Sequence, residues 1–158
     1  MALYGVPLGT MDIDTYETEL APLQDAFARA RADTGLDIPV SPAGVADAPY
    51  DYRDRLQREL GRWTHLTVWK LERHDLVLSK AARGNEHDLT AIEKLHRISP
   101  LDLGTLVERY MGEMGQAIGN PVRLDQNFVA MIERLYGEAE ADRIEESLRT
   151  HRARARRD

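Results

Sequence analysis

The sequence predicts an α+β fold, in which a small mixed β-sheet with flanking helices precedes a helical C-terminal half. Two patterns carry this prediction. Residues 65–71 combine β-branched and aromatic residues with an alternating polarity, which is typical of a strand. From Asp75 onward, apolar residues recur every three or four positions, as they do on amphipathic helices. We therefore expect an α/β core over residues 1–72 and a helical region over residues 73–158.

The N-terminal region contains four segments with a helix or strand pattern. An apolar, β-prone run predicts a strand within residues 9–16. A 3.6-residue stripe predicts a helix over residues 17–34, and Gly35 can end it in a left-handed conformation. A short helix over residues 52–60 and the strand at 65–71 complete the predicted core.

The C-terminal region is predicted to consist of consecutive helices. Asp75 is a suitable N-cap for the first of them, Gly84 and Asn85 end it, and Ser99–Pro100 precedes a later one. The expected helices span residues 76–83, 86–96, 101–114, 123–136 and 138–152.

The amino-acid composition excludes several classes of protein. Hydrophobic residues make up 42% and charged residues 30% of the 158 positions, which is typical of a globular protein. The absence of cysteine excludes disulfides, thiolate zinc sites and cysteine nucleophiles, and it fits a cytoplasmic location. No apolar run approaches the roughly 20 residues that span a bilayer, and the N-terminus has no signal-peptide pattern, so we expect no membrane association.

The net charge of −6 is distributed unevenly. Residues 149–158 carry five arginines and one aspartate, so this tail is basic and the rest of the chain is strongly acidic. Such a tail can meet RNA, an acidic partner or the body of the same protein, or it can be a solvated helix end.

Asp12 and Asp14 stand one residue apart in the first predicted strand. Because successive side chains of a strand point to opposite faces, the two carboxylates would share a face. A divalent cation such as Mg²⁺, which takes one or two carboxylates together with phosphate oxygens, would offset their repulsion, as would a cationic partner. The alternative is an exposed edge strand with an acidic face.

A second group of charged residues surrounds the predicted Gly84–Asn85 turn. Lys80 and Arg83 are neighbours on one helix surface, and the turn would allow Asp88 to reach either of them. A basic pair steadied by a carboxylate suits phosphate binding. The same arrangement can be a salt bridge that only braces a helical hairpin.

The two segments together resemble one family. The motifs are YGVPxGTxDID, which starts at Tyr4, and HDLVLSKAARGNEHDLTAIEKL, which starts at His74. They are similar to those of the minimal nucleotidyltransferases of prokaryotic toxin–antitoxin and abortive-infection systems, in the polymerase-β-like superfamily. The resemblance covers about residues 3–110 and implies a nucleotidyltransferase-like fold.

The resemblance implies roles for individual residues. Asp12 and Asp14 would bind Mg²⁺, which in turn binds the triphosphate of an NTP. Lys80 would neutralise phosphate charge or assist proton transfer, and Asp88 would orient Lys80. Arg83 would support the nucleotide or the helix packing. The implied activity is transfer of a nucleotide to an RNA or protein acceptor; an antitoxin protein and a second copy of the chain are the other expected partners.

The chain also departs from the family pattern. Thr10 belongs to the Thr-x-Asp-x-Asp motif and would contact substrate, but Leu8 stands where a basic residue is common. No Gly-Gly or Gly-Ser element precedes Asp12. The family pattern includes a third carboxylate on a neighbouring strand, for which Asp47 and Glu72 are the two candidates. These departures favour either additional upstream residues or a catalytically inactive relative that serves as an interaction module.

A helix-turn-helix over residues 86–110 is the remaining alternative. Its second helix contains one arginine and two acids, which is a poor set for reading DNA in an acidic protein. His74 and His87 lie near the predicted charged group, where a histidine can act as an acid or base or simply cap a helix.

Overall fold

The computed structural model describes residues 4–6, 13–15, 19–42, 48–61 and 67–155. They belong to two separately packed units, one formed by residues 7–45 and one by residues 46–158 together with residues 3–6. The described residues confirm the α+β class with a helical majority. The division into an α/β core over residues 1–72 and a helical region over residues 73–158 stays a prediction.

In the unit of residues 7–45, two short strands pair in parallel. Strand β1 (Ile13–Thr15) pairs with β2 (Val40–Pro42), and helix α1 (Gln24–Thr34) lies between them in the chain. Parallel neighbours need such a crossover. A 3₁₀ turn at Ala21–Leu23 precedes α1, so the regular helix begins later than predicted. Gly35 ends α1 at φ +68°, as the sequence predicts.

The second unit begins with an antiparallel pair of strands. Strand β3 (Gln57–Arg58) pairs with β4 (Trp69–Lys70), which confirms part of the strand predicted at 65–71. Residues 62–66 lie outside the described residues. The helix predicted over 52–60 is wrong, because a 3₁₀ turn at Tyr52–Arg55 leads directly into β3. The backbone becomes extended at Leu56, where ψ is 135°.

Helices form the rest of this unit. They are α2 (Arg73–Arg83), α3 (Glu86–Ile98), α4 (Leu103–Glu113), α5 (Pro121–Tyr136) and α6 (Glu138–Ala155). Two predicted starts are corrected. Glu72, not Asp75, caps α2 by accepting from the His74 N–H, and Asp102 caps α4 through the Thr105 N–H. None of the helices among the described residues is long and apolar enough to cross a bilayer.

Helix α5 is central to the packing of the helices. It contacts α2, α3 and α6, and its buried stripe follows the spacing of an amphipathic helix. The buried side chains of this stripe are Leu124, Phe128, Met131 and Ile132. Tyr110 of α4 stacks on Phe128 with ring centroids 3.9 Å apart and planes within 4°. This stacked pair joins α4 to the same core.

One arginine of the basic tail binds the body of the protein. Arg152 of α6 donates to Asp125 of α5 (Nη2–Oδ1 3.0 Å), and Asp125 also accepts from the hydroxyl of Tyr110 (2.7 Å). Burial and this carboxylate raise the pKa of Tyr110 well above its usual range. Of the alternatives for the tail, contact with the body is therefore realised at Arg152; residues 156–158 lie outside the described residues.

A buried carboxylate joins α2, α4 and the 3₁₀ turn. The Asp75 side chain is 0% exposed and accepts two hydrogen bonds from Arg55, from Nε (2.9 Å) and Nη2 (3.0 Å). It also accepts from Arg109 Nη1 of α4 at 2.9 Å. Glu113 binds the other edge of the Arg55 guanidinium, and Glu72 binds Arg109. Every charge in this network therefore has an opposite charge beside it.

We expect Asp75→Asn to lower the free energy of unfolding by about 3–5 kcal/mol, because two guanidinium groups lose a buried countercharge. Urea unfolding followed by circular dichroism measures the change. The matched control is Asp142→Asn, which alters an exposed acid of α6 and should stay within about 0.5 kcal/mol of wild type. Equal stability of the two variants would show that the network contributes nothing to the fold.

Candidate functional site

The predicted metal ligands fall at the edge of what the structure describes. Asp14 lies on β1, where its backbone is opposite Ser41 of β2. Thr10 and Asp12 lie outside the described residues. The placement of the Asp12 and Asp14 carboxylates on one face therefore stays a prediction.

The second predicted group is brought together by the turn between α2 and α3. Lys80 and Arg83 lie in the last turn of α2. Gly84 follows at φ +63°, a conformation that costs glycine little, and it reverses the chain. Asn85 then caps α3 by accepting from the backbone N–H of Asp88 (2.8 Å). Two short-range signals, a glycine and a capping asparagine, thus place Asp88 beside α2.

The Asp88 carboxylate is the centre of this group, which we call the basic cluster (Lys80, Arg83, Asn85 and Asp88). Oδ1 accepts from Lys80 Nζ (2.8 Å) and from Arg83 Nη2 (3.0 Å). Oδ2 accepts from Arg83 Nε (2.8 Å) and from the Asn85 amide (2.7 Å). The Asp88 side chain is only 4% exposed, whereas that of Arg83 is 43% exposed.

The electrostatics follow from this geometry. Burial would raise the pKa of Asp88, but hydrogen bonds and charge from Arg83 and Lys80 lower it far below its usual range. Two cations share one carboxylate, so the formal charges of the basic cluster sum to +1. Lys80 is 17% exposed, and its bond to Asp88 uses one of three ammonium hydrogens. This charge and these donors suit an anionic ligand such as a phosphate group.

Comparison with known families decides the class of the protein. The chain matches the family described as a nucleotidyltransferase of unknown function (DUF6036) over residues 4–135. The chain belongs to this family. No curated protein and no solved structure matches it. The matched range contains the two predicted aspartates and the whole basic cluster.

A further residue, which the sequence does not predict, supports the turn. Asn127 of α5 donates from its amide to the carbonyl oxygen of Ala82 (3.1 Å). A Cβ atom added at Gly84 would lie 2.3 Å from the amide atoms of Asn127, so the two residues meet closely. The position of Asn127 beside the buried stripe of α5 is the one sequence signal for this contact.

Other candidates for acid–base or metal chemistry have structural partners. Glu72 accepts from Nδ1 of His74 (2.9 Å) and from Arg109 (2.5 Å). Burial would raise the pKa of Glu72, but these hydrogen bonds lower it to about 2. Nε2 of His74 accepts from the backbone N–H of Asp102 (3.0 Å), so the ring proton lies on Nδ1. Both side chains thus hold the start of α2 in place.

The remaining candidates give no metal centre among the described residues. No group of three histidine, aspartate or glutamate side chains there has the arrangement to hold a metal ion. Asp47 lies outside the described residues, and His87 is exposed at the start of α3. Binding of Mg²⁺ by Asp12 and Asp14 stays a prediction from the sequence; Mg²⁺ needs only one or two carboxylates when phosphate oxygens complete its shell.

We expect the stability that Asp88 provides to depend on pH. Its pKa is lower in the folded chain than the roughly 3.9 of an unfolded aspartate, so the ionised form stabilises the fold. This stabilisation is complete above about pH 5 and is lost as the pH falls through the folded-state pKa. Asp88→Asn should therefore cost about 2 kcal/mol at pH 7 and progressively less below pH 4. Urea unfolding at pH 7, 5, 4 and 3 measures the difference, and a constant difference would contradict the ion-pair geometry.

Proposed function

We propose that this nucleotidyltransferase transfers a nucleotide from an NTP to an RNA or protein acceptor in a Mg²⁺-dependent reaction. Family membership supports the reaction class, and the Asp12–Asp14 motif supports the metal. The observation that carries the proposal is the basic cluster, which holds two cations around one buried carboxylate and keeps a net positive charge.

The chemistry requires positioning and charge neutralisation. An acceptor hydroxyl attacks the α-phosphorus of the NTP, the bond to the β-phosphate oxygen breaks, pyrophosphate leaves, and the hydroxyl proton passes to a base or to water. Most of the rate in such transfers comes from alignment and from neutralising phosphate charge. A bound Mg²⁺ would supply Lewis-acid stabilisation of the triphosphate, with Asp12 and Asp14 as its ligands.

The basic cluster has a specific part in this proposal. Lys80 supplies a compact ammonium to phosphate oxygens, and Arg83, which is more exposed, supplies a planar fork. Asp88 accepts from both and keeps them adjacent in spite of their mutual repulsion. Asp88 is therefore proposed as the orienting residue and Lys80 and Arg83 as the residues that contact phosphate.

The biological setting is proposed from the resemblance to toxin–antitoxin and abortive-infection proteins. An antitoxin protein or a second copy of the chain would then be a partner besides the NTP and its acceptor. A helix-turn-helix function is disfavoured by a specific contact. Arg109, the single basic residue of α4, is 16% exposed and is bound to Glu72 and Asp75. It is directed into the protein rather than toward a DNA groove.

We expect wild-type protein to bind an NTP in the presence of Mg²⁺ and to transfer label from an α-labelled NTP to RNA or protein. Asp14→Asn and Lys80→Met should each weaken NTP binding at least about tenfold, the loss of one charge-assisted contact of about 1.5 kcal/mol. Isothermal titration with each NTP measures binding. Lys94→Met of α3 is the matched control for the loss of one cation.

The same titration separates the enzyme from its alternatives. If wild type binds no NTP and Asp14→Asn changes nothing, the protein is not an active nucleotidyltransferase. A basic cluster that only braces the helical hairpin, as in a non-catalytic interaction module, would then account for the stability loss of Asp88→Asn.

A further inference from the structure

Asn127 joins the central helix α5 to the end of α2. The last four carbonyls of a helix have no partner within it, and Ala82 carries one of these in α2. Asn127 Nδ2 donates to this carbonyl at 3.1 Å. The contact lies one residue before Arg83 and two residues after Lys80, at the point where α2 ends.

The same amide also limits the path of the turn. Gly84 has φ +63°, and a Cβ atom there would lie 2.3 Å from Asn127. The backbone of Gly84 therefore passes directly against the Asn127 side chain. One side chain thus contacts both the Ala82 carbonyl at the end of α2 and the residue that reverses the chain toward Asn85.

We infer that Asn127 is a positioning residue for the basic cluster and thereby sets its affinity for the triphosphate of an NTP. The catalytic meaning of this inference rests on the proposed function. Asp88 reaches Lys80 and Arg83 only because Gly84 and Asn85 hold α3 at one distance from α2. Loss of the Asn127 amide frees the end of α2 and alters that distance.

A second contact of α5 supports this assignment. Arg134, two turns along α5 from Asn127, donates to Glu86 at the first position of α3 (2.7 Å). Helix α5 thus contacts both sides of the α2–α3 turn. The Arg134 pair is largely exposed, with Glu86 71% exposed, and exposed pairs contribute little. The contact of Asn127 is partly buried, so its removal should alter the geometry of the basic cluster.

The test compares Asn127→Asp, Asn127→Ala and the control Gln126→Ala. The aspartate keeps the shape of the side chain and loses the donor, so it remains informative if the alanine variant fails to fold. Amide hydrogen exchange followed by mass spectrometry measures local opening, and titration with Mg²⁺ and NTP measures binding. Gln126 is an exposed amide on the same helix.

We expect both Asn127 variants to exchange roughly tenfold faster over residues 84–89 and unchanged over α4, since local opening is specific to the contact removed. NTP binding should weaken, and Asn127→Asp combined with Asp88→Asn should weaken it no more than Asp88→Asn alone. Gln126→Ala should leave both measurements unchanged.

Four other results would also be decisive. Unchanged exchange over residues 84–89 overturns the positioning role, and so does faster exchange over all helices, which indicates general destabilisation. Additive losses of NTP binding in the double variant overturn the link to the basic cluster. Faster local exchange in a protein whose wild type binds no NTP supports the positioning of the turn and overturns the proposed function alone.

Discussion

The carboxylate of Asp75 is the constraint on which the arrangement of the helical unit depends. It is fully buried and lies between Arg55 of the 3₁₀ turn and Arg109 of α4. An isolated carboxylate in that position would be very costly, so α2, α4 and the segment around Arg55 must come together for the fold to form. Glu72 and Glu113 complete the network by binding the remaining donors of the two arginines. The start of α2 is thereby fixed in position and direction.

Fixing one end of α2 has consequences at the other end. The helix runs for eleven residues from the buried network to the basic cluster, and it packs against α5, α3 and α4. Its first turn is bound by the ion pairs of Asp75, and its last turn accepts a hydrogen bond from Asn127. The two charged groups differ in one respect that matters for function. In the network around Asp75 the side chains of Arg55 and Arg109 are 22% and 16% exposed, whereas that of Arg83 in the basic cluster is 43% exposed.

The sequence predicted the features that depend on near neighbours. The Gly84–Asn85 turn and the spacing of Lys80 and Arg83 predict that Asp88 reaches one or the other cation, and the helical periods locate the helices from α2 to α6. Asp75 was interpreted as a cap because its type and position suit one; its partners Arg55 and Arg109 are 20 and 34 residues away and leave no local pattern. The segment 52–60 was misjudged for the same reason, since pairing of β3 with β4 overrides its helical pattern.

The basic cluster illustrates how a structural ion group can be suited to a ligand. Lys80 and Arg83 would repel each other and move apart if Asp88 were absent, and a phosphate would then have to reassemble them on binding. Asp88 removes that reorganisation, because it holds both cations at hydrogen-bond distance before any ligand arrives. The formal charges of Lys80, Arg83 and Asp88 sum to +1, which favours the proposed anionic ligand. The contacts of Asp88 that stabilise the turn are thus the same contacts that would prepare the two cations for the proposed phosphate ligand.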